Sequence, residues 1–158
     1  MRVLFATGNQ NKVIEASGIL SPLGLFVEQF LIDGQIPLLV EPQTDGIEEV
    51  AISKLKQAVS MTIGTEFENE ALLVEDSGLF IDSLSGFPGP YSSYILDTIG
   101  LSGVLSLMSG MSDRGAEFRA VAALSFQGEI LSSTGICRGV ISDKASGDSG
   151  FGFDPIFI

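Results

Sequence analysis

The chain has 158 residues, 45% hydrophobic and 18% charged, which suits one globular domain with a real core and excludes a disordered polymer. A formal net charge of −12, from 20 acidic and 8 basic residues, excludes the basic stripe of a nucleic-acid surface but not a small phosphate ligand carried in with a divalent cation. The sequence has no histidine and one cysteine, Cys137, so Ser-His and Cys-His dyads and an internal disulfide are excluded, and chemistry falls to carboxylates, lysines, backbone amides and metal-activated water.

Residues 2–6 read as a short buried strand, followed by a polar loop over 7–11. Residues 12–20 carry a helical pattern with Val13, Ala16 and Leu20 on one face, and Ser21-Pro22-Leu23-Gly24 stops it. Residues 25–32 read as a second strand, a strand–loop–helix–strand opening that points to an α/β fold. Thr44 or Asp45 can cap the next helix, with Glu48 and Glu49 in its first turn and Ile47, Val50, Ala51, Leu55 and Ala58 as its apolar stripe. Residues 71–75 form a buried strand that ends in Glu75-Asp76-Ser77-Gly78. The Gly/Pro-rich stretch 86–91 reads as a loop, and residues 92–109 as a helix broken near Gly100. Residues 117–126 and 129–141 read as two strands around a Gln127-Gly128 turn. The expected architecture is a mixed α/β sheet with flanking helices. The N-terminus lacks the basic-then-apolar pattern of a secretory leader, and no apolar run approaches the roughly 20 residues of a membrane span, so the expected location is the cytoplasm.

Four features can carry chemistry. The loop Thr7-Gly8-Asn9-Gln10-Asn11-Lys12 joins a strand to a helix N-terminus, where free amides and the helix dipole favour phosphate; Thr7 and Asn9 add side-chain donors and Lys12 a cation. On spacing alone it reads equally as an ordinary turn with a solvated lysine, because it is not a Walker A loop. Lys54 falls about −20° from Ile47 at 100° per residue, inside the apolar stripe, where its head either snorkels to water or faces an anion inward. Glu75 and Asp76 close a buried strand and, as neighbours, point to opposite faces. Glu41 precedes the second helix and can join Asp76 in holding one Mg²⁺ that keeps several waters, although acids at element ends are commonly just solvated. In Gly150-Phe151-Gly152-Phe153-Asp154-Pro155, glycines flank aromatics, a pattern that suits either contact with a flat base or a turn with rings tucked into the core.

Taken in order, Phe5-Ala-Thr-Gly-Asn-Gln-Asn-Lys12, Val74-Glu-Asp-Ser-Gly-Leu79, Gly86-Phe-Pro-Gly-Pro-Tyr-Ser92 and Gly150-Phe-Gly-Phe-Asp-Pro155 resemble the inosine/xanthosine triphosphate pyrophosphatase family, in its archaeal-like form. The resemblance runs from residue 2 to the last residue. It implies an elongated α/β fold with a twisted mixed sheet and a central cleft, usually a homodimer, and Mg²⁺-dependent hydrolysis of ITP, dITP or XTP to the monophosphate and pyrophosphate. By motif, it assigns Thr7, Gly8, Asn9, Gln10, Asn11 and Lys12 to the triphosphate, with Lys54 assisting. Glu41 and Asp76 become metal ligands, Asp76 the base for the attacking water with Glu75 beside it, and Ser77 a substrate contact. Phe151, Gly152, Phe153 and Asp154 fall against base and sugar. Family members continue for some tens of residues past the equivalent of Ile158, with a lysine and a Ser-His-Arg motif that recognise the base; the sequence therefore reads as truncated. A nucleotide-binding module without catalysis, and a related pyrophosphatase for other modified nucleotides, are the competing expectations.

Overall fold

A computed structural model describes residues 1–147 and 152–158. In chain order the elements are β1 (Arg2–Phe5), α1 (Gln10–Leu20), β2 (Phe26–Gln29), α2 (Ile47–Thr62), β3 (Ala71–Ile81), β4 (Pro88–Gly89), α3 (Ser92–Thr98), α4 (Gly100–Leu107), β5 (Gly115–Phe126) and β6 (Glu129–Val140). The sheet runs β2-β1-β3-β5-β6, with β4 added to β3. β1 pairs in parallel with both β2 and β3, and β3 pairs antiparallel with β4, so the sheet is mixed as expected. Enclosed by strands on both sides, β1 reads as an unbroken apolar run, with Val3, Leu4 and Phe5 all buried.

The chain divides into two compact units. In the first (residues 1–43, 48–76 and 121–133), β1, α1 and β2 form a β-α-β unit, and α2 from Glu48 onward belongs to the same unit. The stripe read from the sequence is the buried face of α2: Val50, Ala51, Leu55 and Ala58 are all closed off from solvent. In the second (residues 44–47, 77–120 and 134–158), Leu79, Ile81, Val104, Met108, Ile141, Phe153 and Ile156 make the apolar core.

Several boundaries differ from the sequence reading. α1 begins two residues early, at Gln10, because Asn9 caps it: its side chain accepts from the Asn11 amide at 2.9 Å. β2 stops at Gln29, and Ile32 makes only an isolated bridge with Gln35. The largest correction concerns β3, which continues through Glu75-Asp76-Ser77-Gly78 to Ile81, so those residues lie mid-strand. Leu79, Phe80 and Ile81 form a second apolar run, and the stretch read as a loop supplies β4 opposite Leu79 and Phe80. Gln127 and Gly128 both take positive φ, as a two-residue hairpin turn requires, and the helical stretch breaks at Gly100, also at positive φ.

The Gly86-to-Ser92 motif holds this extension. The buried Ser92 hydroxyl donates to the Gly89 carbonyl at 2.7 Å and accepts from the Leu79 amide at 2.8 Å. Opposite it, a Cβ added at Gly78 would run into the Gly89 carbonyl oxygen, with the Gly89 carbon 2.9 Å away. Gly78→Ala is therefore expected to destabilise the protein by about 1–3 kcal/mol, as overpacking against rigid backbone does; urea unfolding measures it, and an unchanged midpoint would show that β4 gives way freely.

Candidate active site

Parallel register assembles the site in the first unit. Phe5, the last residue of β1, pairs with Leu73 of β3 and Gln29 of β2, and the Ala6 amide still donates to Leu73 O at 2.9 Å. β3 then runs on beyond the end of β1. The loop after β1 and the carboxylates of β3 therefore meet at the carboxyl ends of the parallel strands, the ligand-binding edge of open α/β sheets.

Strand alternation gives the two carboxylates different partners. Glu75 pairs with Lys12 at 2.6 Å. Asp76 pairs with Lys54 at 2.9 Å, and the same ammonium reaches Glu41 at 2.7 Å. Lys54 is thus the inward-facing cation of its two readings: its side chain is 17% exposed and its head lies among carboxylates. Burial works against the Lys54 ammonium, but Asp76 and Glu41 outweigh it and raise its pKa above 10.5. Asp76 is shifted against its charged form, chiefly by burial. Burial pushes its carboxyl above the ordinary 3.8, Lys54 draws it back only in part, and Glu41 adds to the rise.

The loop is more self-contained than expected. Thr7 Oγ1 accepts from the Asn9 amide at 3.1 Å, and Asn9 Oδ1 from the Asn11 amide. The two side chains were expected as donors to a ligand; their oxygens instead hold the turn, leaving the Thr7 hydroxyl hydrogen and the Asn9 NH₂ to donate. Gln10 Nε2 donates to Gln29 Oε1 at 2.6 Å, and Gln29 Nε2 to Thr7 O at 2.7 Å. Gln29 thus ties both sides of the loop to β2. Among the described residues, no protein acceptor is recorded for the amides of Gly8, Gln10 and Lys12 at this helix start. Gly8 has open space around it and a φ outside the left-handed region, so its bare backbone is an opening and not a conformational necessity.

The remaining expected residues lie in the second unit. Ser77 follows Asp76 on β3, half-buried and on the Glu75 face of the strand. Phe153 is buried in the apolar core with Leu79, Ile81 and Ile156. Gly152, at positive φ, precedes it, and the exposed Asp154 opens a short 3-10 turn. Phe151 lies outside the described residues.

Two residues escaped the sequence reading, Gln29 and Gln57. The Gln57 amide donates to Val40 O at 2.7 Å and accepts from the Val40 amide at 2.8 Å, beside Glu41. Neither had a local signal, because each acts on a segment 17 or more residues away.

The described residues contain no group of three or more Asp, Glu, Cys or His side chains placed to hold a metal ion. The donor set is a pair, Glu41 and Asp76, whose oxygens already converge on one cation, the Lys54 ammonium. Two carboxylates completed by water and phosphate suit Mg²⁺, so the residues fit such an ion.

A mixed α/β sheet with carboxylates and lysines gathered at its parallel-strand ends defines a class: an α/β protein with a charged cluster at the edge where such sheets bind ligands. More particularly, the chain belongs to the Ham1 family, whose model matches residues 3–158. It is 45% identical to a dITP/XTP pyrophosphatase of Methanopyrus kandleri, over 100% of this chain and 79% of that protein. It is 42% identical to another dITP/XTP pyrophosphatase, from Ignicoccus hospitalis, over 99% of this chain and 79% of that protein. The Staphylococcus aureus Ham1 protein superposes with a TM-score of 0.82 at 30% identity, covering 99% of this chain and 80% of that one. No helix among the described residues is long and apolar enough to cross a membrane.

The ion-pair geometry makes a titration prediction. The folded Asp76 carboxyl keeps its proton to a higher pH than 3.8, so between the two values the folded state binds more protons than the unfolded chain. Asp76 by itself therefore withdraws stability as pH rises through that window. Lys54→Met removes the cation that lowers this pKa most, and carboxyl-detected NMR should show Asp76 titrating higher still; a downward move would contradict the arrangement.

Proposed function

We propose that this protein hydrolyses deaminated purine nucleoside triphosphates, dITP, ITP and XTP, to the monophosphate and pyrophosphate, with Mg²⁺ as cofactor. The observation that carries this reading is the cluster at the end of β1 and β3, where, among the described residues, three carboxylates meet two lysines. Such a site does not attract a bare polyphosphate. It suits one that arrives with a divalent cation, after which the lysines can turn from carboxylate to phosphate. The names of the relatives supply the substrate class.

Glu41 and Asp76 would hold the Mg²⁺, which when bound neutralises phosphate charge and makes the reacting phosphorus more electrophilic. Lys12, Lys54 and the amides of Gly8, Gln10 and Lys12 bind and orient the triphosphate. Asp76 accepts the proton of the attacking water; burial makes it a stronger base than an exposed aspartate. Glu75 holds Lys12 in place from the opposite face of β3. Ser77 contacts substrate, and Phe151, Gly152 and Asp154 contact base and sugar; these roles, like a cytoplasmic homodimer, rest on the family resemblance.

The test is pyrophosphate release with Mg²⁺ from dITP, ITP and XTP against the ordinary triphosphates. Release from the deaminated substrates is expected to exceed that from ATP or GTP by roughly tenfold or more in kcat/KM. Asp76→Asn should lower kcat by about 10²–10⁴-fold with the fold retained. Thermal stabilisation by these nucleotides without any release would instead mark a binding module.

Gly8→Ala separates the phosphate loop from the fold. A Cβ meets nothing within 4 Å there, so the melting temperature should hold. KM for the nucleotide should rise severalfold if phosphate approaches that backbone; an unchanged KM would take Gly8 out of the binding loop.

A further inference from the structure

Glu41 is placed by a segment that has little to place it. Residues 36–46 form neither helix nor strand, and none of them is buried. Glu41 itself leaves 55% of its side chain exposed, so packing does not fix it. Among the described residues, α2 holds the middle of the segment at two points. Lys54 receives Glu41, and one turn further along the same helix Gln57 receives Val40.

The Gln57 contact is unusually specific. A primary amide faces both the N–H and the C=O of one residue, the two-bond pattern by which one strand grips another. Only one orientation of the amide makes both bonds. Further contacts from Gln57 Nε2 to Ser53 O at 3.3 Å and Ser53 Oγ at 3.4 Å favour that orientation. With Val40 gripped, the Cα of Glu41 sits one peptide, about 3.8 Å, from a fixed point.

We infer that Gln57 is a positioning residue for the divalent-cation site: through the backbone of Val40 it delivers the Glu41 carboxylate opposite Asp76. The inference rests on the reading that Glu41 and Asp76 hold the cation. Gln57 touches neither substrate nor cation. Its loss frees the loop, so that cation binding must order Glu41 each time, while an occupied site works at its usual rate.

The test uses the full chain and Mn²⁺ as the probe, its binding followed by electron paramagnetic resonance without nucleotide. Gln57→Met removes both bonds while keeping the side chain's length and the helix. Mn²⁺ affinity is expected to fall about tenfold, within the range seen when groups that orient metal ligands are removed. The Val40 amide should exchange faster with solvent. The Mg²⁺ concentration for half-maximal turnover should rise in step, with kcat at saturating Mg²⁺ within twofold of the unsubstituted protein. A merely structural role would lower the melting temperature and kcat together and leave Mn²⁺ affinity unchanged. Val40→Pro removes one of the two bonds, the Val40 N–H to Gln57 Oε1, from the loop side at an exposed position, and is expected to weaken Mn²⁺ binding in the same direction by a smaller factor. Unchanged Mn²⁺ binding in Gln57→Met and Val40→Pro, with weakened binding in Glu41→Gln, would overturn the role of Gln57 and leave the functional reading standing. Unchanged binding in both Glu41→Gln and Asp76→Asn would overturn the cation site and this inference with it.

Discussion

A single ammonium has to satisfy two carboxylates, and the site is organised around that shortage. Lys54 lies within hydrogen-bonding distance of Glu41 and Asp76, and Glu75 already holds the other lysine, Lys12. Asp76 is half-buried and shares the Lys54 ammonium with Glu41, and burial holds its carboxyl above the ordinary value. A part-buried carboxylate whose charged form is disfavoured by desolvation is an unfavourable thing to fold around. Local strain of this kind gathers where chemistry is done, since a group held away from its preferred state has something to gain from a ligand. A divalent cation would meet the shortage, and the lysines would be released toward the phosphates that come with it.

The scaffold makes the shortage possible by letting β3 outrun β1. Had β3 ended at Glu75, its carboxylates would lie in a mobile loop and choose their own partners. Because the strand continues to Ile81 and is held by β4 and Ser92, the backbone beneath Glu75 and Asp76 is part of a ladder. The loop that faces them is fastened as well, by its own side chains and by Gln29. Site geometry is thus set mainly by backbone pairing and amide clamps, with ion pairs added to a frame already in place.

What could be read in the sequence and what could not divide along the range of the interactions. The stripe of α2, the break at Gly100 and the hairpin at Gln127-Gly128 were legible because helix period, glycine φ and turn type are local properties. Lys54 was legible as an anomaly, a charge on an apolar face, though only the fold shows that acids are its partners. The length of β3 was not legible: Glu-Asp-Ser-Gly is a turn composition, and the strand runs on through it because β3 lies between β1 and β5 in the sheet, with β4 pairing its far end at Leu79 and Phe80. Phe153 had two readings that nothing nearby could separate, and its place in the core depends on Leu79, Ile81 and Ile156. Gln29 and Gln57 were ordinary polar residues until the chain was folded.

The pleat of β3 has a consequence for how this site can change. Glu75 and Asp76 differ by one methylene, yet their duties are assigned by parity, odd positions to Lys12 and even ones to Lys54. A side chain replaced here alters one duty. A residue gained or lost upstream in the strand would exchange them all at once, since a slip of one position turns every side chain to the other face. The stretch from Ala71 to Asp76 therefore acts as a ruler: its composition has latitude, but its count of residues does not.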